Sequence, residues 1–138
     1  MPTSAQNTFS NQGLVPFMDP EQALSYHIKL PNGATVPKGT IVGEITASPG
    51  NFKSYASGSS DGSQIPKAIT AYDVVVDGSG NHTIGGGSQG ETSLTAPAYF
   101  AGSFRTTDLT GLDATAITNS PSWRLISGSV SDGILRLG

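Results

Sequence analysis

Along residues 24–30 apolar and polar positions alternate, with Leu24, Tyr26, Ile28 and Leu30 on one side and Ser25, His27 and Lys29 on the other. A period of two is that of a half-buried strand. Pro31-Asn32-Gly33 follows as a turn and predicts a hairpin between residues 26–30 and a strand from Thr35 onward. Ile41, Val42 and Ile45, punctuated by Gly39 and Gly43, predict the next strand, because β-branched side chains suit a pleated backbone and Gly permits tight ends. Residues 53–63 read as a polar loop and residues 65–76 return to strand character. Asp77-Gly78-Ser79-Gly80-Asn81 then ends the run with residues that tolerate positive φ. Residues 79–95, rich in Gly and Ser, predict a flexible connection or loop edge between Val76 and Tyr99. Leu109, Leu112, Ala114, Ala116 and Ile117 predict one short helix within residues 107–119, with Asp108 or Thr110 as its N-cap. Trp123, Leu125 and Ile126 predict another strand, and residues 134–137 a last one.

The first 19 residues differ from all this. They are polar, contain Gln and Asn, and together with the next residue are broken by Pro2, Pro16 and Pro20, a composition that does not fold independently. The expected organisation is a flexible N-terminal arm over residues 1–23 and a β-rich body over residues 24–138, with the strand at 24–30 standing between the two. A chain of 138 residues fits one domain with a real core. Only 12% of residues are charged, while 18 are Gly and 9 are Pro, a balance that favours many short strands joined by turns over a helical bundle. The predicted fold class is therefore mainly β: a single small β-rich domain, sandwich- or barrel-like, with little helix and an extended N-terminal arm.

Charge and composition narrow the function. The formal net charge is -3 and the seven basic residues are scattered in sequence, which argues against a nucleic-acid surface, since phosphate contacts need clustered Lys and Arg. There is no Cys, so no disulfide framework and no Cys-based metal or redox site can form. Residues 1–11 lack a basic start and an apolar core of signal-peptide type, and no apolar run is long enough to span a bilayer, so neither secretion nor membrane insertion is expected. Without secretion, Asn81-His82-Thr83 is turn chemistry rather than a glycosylation acceptor.

Apparent chemical motifs fail on context. Gly85, Gly87 and Gly90 match G-x-G-x-x-G, but the following Glu91-Thr92-Ser93-Leu94-Thr95-Ala96-Pro97 is a poor helix, and a dinucleotide site needs a helix N-terminus under the pyrophosphate. Asp77 to Asn81 resembles a calcium loop only superficially, since His82 stands where the Gly is required and Ser88 where the closing Glu belongs. His27 and His82 lack metal-ligand spacing, and no nucleophile-elbow pattern accompanies them. Asp73 with Asp77 and Asp108 with Asp113 are available as carboxylate pairs, with nothing to suggest a shifted environment. The expectation is a protein that is not an enzyme, with no cofactor, no metal and no catalytic residues.

Three segments carry a family resemblance. Pro37-Lys38-Gly39-Thr40-Ile41-Val42-Gly43-Glu44-Ile45-Thr46 is followed by Tyr55 with Ser60-Asp61-Gly62-Ser63, and then by Ala71-Tyr72-Asp73-Val74-Val75-Val76. In this order and spacing they resemble the lambda-type head-decoration (cement) protein family of tailed bacteriophages. Ala98-Tyr99-Phe100-Ala101-Gly102-Ser103-Phe104-Arg105 is similar to a late strand of the same family. The resemblance implies a structural virion protein, made in the host cytoplasm, that sits as a homotrimer on the outer surface of an expanded head at three-fold and quasi-three-fold positions. Its partners would be the major capsid protein and its own copies, with neither nucleic acid nor membrane involved, and it would stabilise the capsid lattice against internal DNA pressure. In that case Thr8, Phe9, Leu14, Val15 and Phe17 of the arm are expected to make apolar or strand contacts with the shell. Tyr99, Phe100, Phe104 and Trp123 are candidates for the trimer contact, with core packing as the equally open reading. The chain departs from shorter members in its long N-terminal section and in the Gly/Ser-rich residues 79–90. Two rivals remain at this level: a carbohydrate- or host-surface-binding module, with Phe52, Tyr55 and Tyr72 as an exposed aromatic cluster, and a small β-hydrolase employing His27 and His82.

Overall fold

One long strand, β9 (Ala96–Arg105), organises the chain, pairing β1 (Leu24–Ile28) and β5 (Ala68–Thr70) along its first half and β11 (Gly133–Leu137) along its second. The computed structural model describes residues 24–85, 91–120 and 122–138. Besides those four strands it contains β2 (Thr35–Val36), β3 (Ile41–Glu44), β4 (Phe52–Ser54), β6 (Val74–Val76), β7 (His82–Ile84), β8 (Glu91–Ser93) and β10 (Trp123–Gly128), and one helix, α1 (Ala114–Asn119). The strands form two antiparallel sheets. The large one runs β10-β11-β9-β5-β3-β4 with β1 added on β9, and the small one runs β2-β6-β7-β8. The fold is thus mainly β and one small domain, as the sequence predicts.

The centre of the large sheet, at β3 and β5, is buried on both faces, which explains why these strands read as continuous apolar runs rather than alternating ones. Successive side chains point to opposite faces. Accordingly Val42, Ala68 and Ala98 join a first cluster with Val36, Val74, Val76 and Ile84 of the small sheet, while their neighbours Ile41, Ile69 and Tyr99 join a second cluster with Phe104, Trp123, Leu135 and Leu137. The first cluster is the interior of a two-sheet sandwich. The second lies on the reverse face and is closed by α1 through Ala116 and Ile117.

The strands at 41–44, 123–128 and 133–137 and the turn after Val76 stand where the sequence places them, the turn held by Asp77, whose carboxylate accepts the Ser79 and Asn81 N–H groups at 2.8 and 2.9 Å. Other expectations are corrected. The Pro31-Asn32-Gly33 turn does not fold a hairpin back on itself: β1 pairs β9 and β2 pairs β6, so the turn carries the chain from one sheet to the other. The apolar side of β1 is buried at Ile28 but exposed at Leu24 (45%) and Tyr26 (57%), because the inter-sheet core extends only to the Ile28 end. Residues 65–76 are two strands in different sheets, β5 and β6. The break falls at Ala71-Tyr72-Asp73, where Ala71 donates to the Pro97 carbonyl and Asp73 accepts the Lys38 N–H at 2.8 Å. Within residues 79–95, β7 and β8 form an antiparallel pair where a flexible connection was expected, and residues 86–90 between them lie outside the described set. Residues 107–119 are not one helix. Gly111 sits at φ 93°, which no helix can pass, so a 3-10 turn over Thr106–Asp108 is separated from α1. The cap of α1 is Asp113, which accepts the Ala116 N–H at 2.7 Å.

Gly43 is required by a close approach. A Cβ there would stand 2.6 Å from the Ile65 carbonyl oxygen and 2.7 Å from the Ser63 Cα, both backbone atoms that cannot swing aside. We expect Gly43→Ala to destabilise the chain by about 2 kcal/mol through overpacking, measured as a lower urea midpoint with an unchanged slope.

Candidate functional site

Two exposed apolar side chains, Leu24 and Tyr26, lie where β1 meets β9. Ser25 pairs with Tyr99 and Leu24 with Ala101, so Phe100 is an extra residue with no partner across the ladder, a β-bulge. The bulge turns Phe100 into an aromatic series graded from core to surface. Buried Phe52 stands edge-on to half-buried Phe100 at 5.8 Å, and Phe100 stands edge-on to exposed Tyr26 at 5.6 Å. These T-shaped contacts suit the ring quadrupoles and fix Tyr26 in place. On its other side Phe100 borders a groove of about 370 Å³ with Ile65, Pro66, Lys67, Trp123 and Gly138. Leu24, the first described residue, therefore sits at one end of the sheet beside Tyr26.

Polar contacts brace the loops next to this surface. Lys67 pairs with Glu44 at 3.1 Å while Glu44 also accepts the Gly50 N–H at 2.9 Å, and the Gly50 bond first, then Lys67, holds the Glu44 carboxyl below its ordinary range. Lys53 pairs with Asp61 at 2.6 Å, and Lys53 with the Ser63 hydroxyl and N–H keeps the Asp61 carboxyl well below the usual carboxylate range. Both pairs are partly exposed, so they order the loop at 44–67 more than they stabilise the fold.

Tyr55 is buried and donates to Asp113 at 2.9 Å, tying the loop after β4 to the cap of α1. Burial, and secondarily the Asp113 carboxylate, pushes the Tyr55 phenol up to about 12. The unfolded phenol ionises near its ordinary value of 10, so the stability this shift contributes is complete below pH 10 and is lost as pH rises toward 12. Tyr55→Phe is expected to cost about 1 kcal/mol near neutrality by removing the hydrogen bond between this loop and the α1 cap. It is also expected to flatten the decline in unfolding free energy between pH 10 and 12, read from urea titrations across that range.

No catalytic arrangement emerges among the described residues. His82 is fully buried, accepting the Leu30 N–H at Nε2 (2.9 Å), which links β7 to the β1–β2 connection, and donating from Nδ1 to the Gly80 carbonyl (3.0 Å), which braces the β6–β7 turn. His27 is exposed, with Nδ1 2.9 Å from the Thr95 hydroxyl. The two histidines share no carboxylate or serine hydroxyl partner. No group of three or more His, Asp or Glu side chains with metal-binding geometry occurs among the described residues. The residues that follow Gly90 form strand β8, paired with β7, where a dinucleotide site needs a helix. Among the described residues no helix is long and apolar enough to cross a membrane.

The aromatic candidates divide. Phe104 is 1% and Trp123 4% exposed, both inside the second cluster. Tyr99 is half-buried against Phe104, ring centroids 5.3 Å apart, and Phe100 is half-buried beside Tyr26. Tyr26 and Leu24 are the exposed apolar residues that sequence reasoning assigned to a buried side. The signal that could have found them is their position at the arm end of an alternating strand. Thr8, Phe9, Leu14, Val15 and Phe17 lie outside the described residues.

The family model of the bacteriophage lambda head decoration protein D matches residues 6–84. The match takes in the segments from Pro37 to Val76 that carry the resemblance, the β7 strand and most of the N-terminal section, and ends before Ala98 to Arg105. No curated protein and no solved structure gives a match. With more than half of its length matched, from the N-terminal section through β7, the chain belongs to the bacteriophage lambda head decoration protein D family, structural proteins of the phage head.

Proposed function

We propose that this chain binds the outer surface of an expanded phage head as a homotrimer at three-fold and quasi-three-fold sites and cements neighbouring major capsid subunits against internal DNA pressure. The observation that carries the reading is the family match over residues 6–84, which spans both the N-terminal section and the sandwich. In this reading residues 1–23 act as the arm and residues 24–138 as the body. The arm joins the body at Leu24, beside exposed Tyr26 and the groove under Phe100, so its shell contacts through Thr8, Phe9, Leu14, Val15 and Phe17 would be continuous with a body surface. Among the described residues β1 pairs only with β9, and an extended segment that adds a strand to a sheet edge is a recurring mode of such attachment.

Energetics favour a trimer for this task. Ordering each arm residue costs about 1–2 kcal/mol of backbone entropy, so one arm binds weakly. Three linked arms raise avidity by roughly 10²–10⁴ when all can engage together. Of the four aromatic candidates, Tyr99 and Phe100 retain surface for contact between copies, while Phe104 and Trp123 would act from within the core.

The rival host-surface module loses its motivating feature, because Phe52 (4%) and Tyr55 (8%) are buried and in different clusters, leaving no exposed aromatic cleft with Tyr72. The test is co-sedimentation of the purified chain with expanded heads that lack decoration. Saturable binding at a multiple of three copies per local three-fold position is expected. A chain that is folded by circular dichroism and fails to sediment with heads would overturn the proposal.

A further inference from the structure

The chain's three arginines, far apart in sequence, come together on one face of the large sheet. Arg124 of β10 stands directly opposite Arg136 of β11, and Arg136 stands opposite Ser103 of β9. Directly paired residues share a face, and residues two apart on a strand share one as well. Arg105, two positions from Ser103 and paired with Ile134, is therefore on the same side as Arg136 and Arg124. Leu125, Leu135, Leu137 and Phe104 point the other way, into the second cluster. Arg124 and Arg105 are exposed, Arg136 is half-buried, and Ile126 beside them is 44% exposed.

Two features of this face point to a partner. Like charges directly opposite across a ladder are destabilising, and no carboxylate among the described residues forms an ion pair with Arg124 or Arg136. A chain with a net charge of -3 has nevertheless placed every arginine here. Arginine around an apolar centre is also the composition of a protein contact rather than of a solvated face: its planar fork matches carboxylates bidentately and it is enriched in interface cores. The face further adjoins the place where the arm joins the body. Leu24 pairs with Ala101 and Arg136 with Ser103, two positions further along β9.

We propose that the Arg124–Arg136 face docks on a carboxylate-bearing surface of the capsid subunit. This inference rests on the head-binding reading above and names the chemistry of its partner. The arginines give charge complementarity and orientation, and Ile126 with the neighbouring Ile134 gives apolar contact between them.

The experiment measures binding of the full chain to expanded undecorated heads as a function of salt, for wild type, Arg124→Gln/Arg136→Gln and Arg124→Glu/Arg136→Glu, with oligomeric state followed by analytical ultracentrifugation. Neutralisation is expected to weaken binding about 10-fold and to flatten its salt dependence, and reversal to weaken it about 100-fold or more, as for close interfacial charge pairs. The oligomer should be unchanged in both. Wild-type binding with unaffected variants overturns this inference alone, whereas absence of wild-type binding removes the head-binding reading and this inference together. Variants that fall to a smaller oligomer than wild type would assign the face to contact between copies and overturn the capsid assignment. Salt-dependent binding of wild type to duplex DNA, lost in the Gln variant, would make the partner a nucleic acid and overturn it too. The internal rivals are Asp19 and Glu21. If Asp19→Asn/Glu21→Gln lowers the melting temperature of wild type but not of the Arg→Gln variant, the arginines are paired from within and the inference falls.

Discussion

Deleting residues 1–17 is expected to leave a folded body with the oligomeric state of the intact chain and to reduce head binding by at least about 100-fold, the scale of the avidity that three arms supply. Folding should survive because the truncation ends before Leu24, and every described residue of both core clusters lies at Ile28 or beyond. Binding should not survive, because a body surface alone would have to replace three tethered segments. The measurement is a saturation curve by co-sedimentation, alongside circular dichroism and ultracentrifugation of the truncated chain. Saturation at the same concentration as the intact chain would show that the body alone attaches, and the arm would lose its role.

Phe104→Ala is expected to lower the stability of the free chain by about 3–5 kcal/mol, the usual cost of truncating a buried aromatic. Phe104 is 1% exposed and packs with Leu135, Trp123 and Tyr99 beneath the large sheet. Tyr26→Ala is the matched control: Tyr26 is 57% exposed and its ring stands against half-buried Phe100, so about 1 kcal/mol or less is expected in the free chain. Urea unfolding at low and high protein concentration separates the readings. A Phe104→Ala midpoint that matches wild type would place the ring's energy at a subunit contact rather than in the core.

The contrast between Phe100 and Phe104 shows where sequence reading stops. Both belong to one aromatic-rich string, and strict alternation would put them on the same face. The bulge at Phe100 breaks that parity, sending Phe100 toward the inter-sheet core and Phe104 to the reverse face. A bulge is set by pairing across the sheet, and nothing in the string announces it. Strands with local punctuation were legible: Ile41 and Val42 between glycines, Trp123 to Ile126, and the residues that close the chain. The division of 65–76 between two sheets was not, since its break, Ala71-Tyr72-Asp73, is fixed by hydrogen bonds to Pro97 and Lys38 from elsewhere in the chain. The helix was placed too early because its apolar residues continue across Gly111, whose conformation forbids a helix. Basic residues that are scattered in sequence proved to share a face, for register is invisible until strands are paired. The family and the general role were legible because they rest on the order of segments, whereas the contact surfaces depend on distant pairings.

Because β9 holds both β1 and β11, the two ends of the described chain are joined to one strand. That arrangement has a consequence for timing. On a ribosome, β1 emerges roughly seventy residues before its partner on β9, a wait of roughly 4–14 s at the usual elongation rates of about 5–20 residues per second. The second half of β9 then waits for β11, which follows it in the chain after α1 and β10. Until β9 is made, Leu24 and Tyr26 stand on an unpaired strand, an aggregation hazard during synthesis that a chaperone would have to cover.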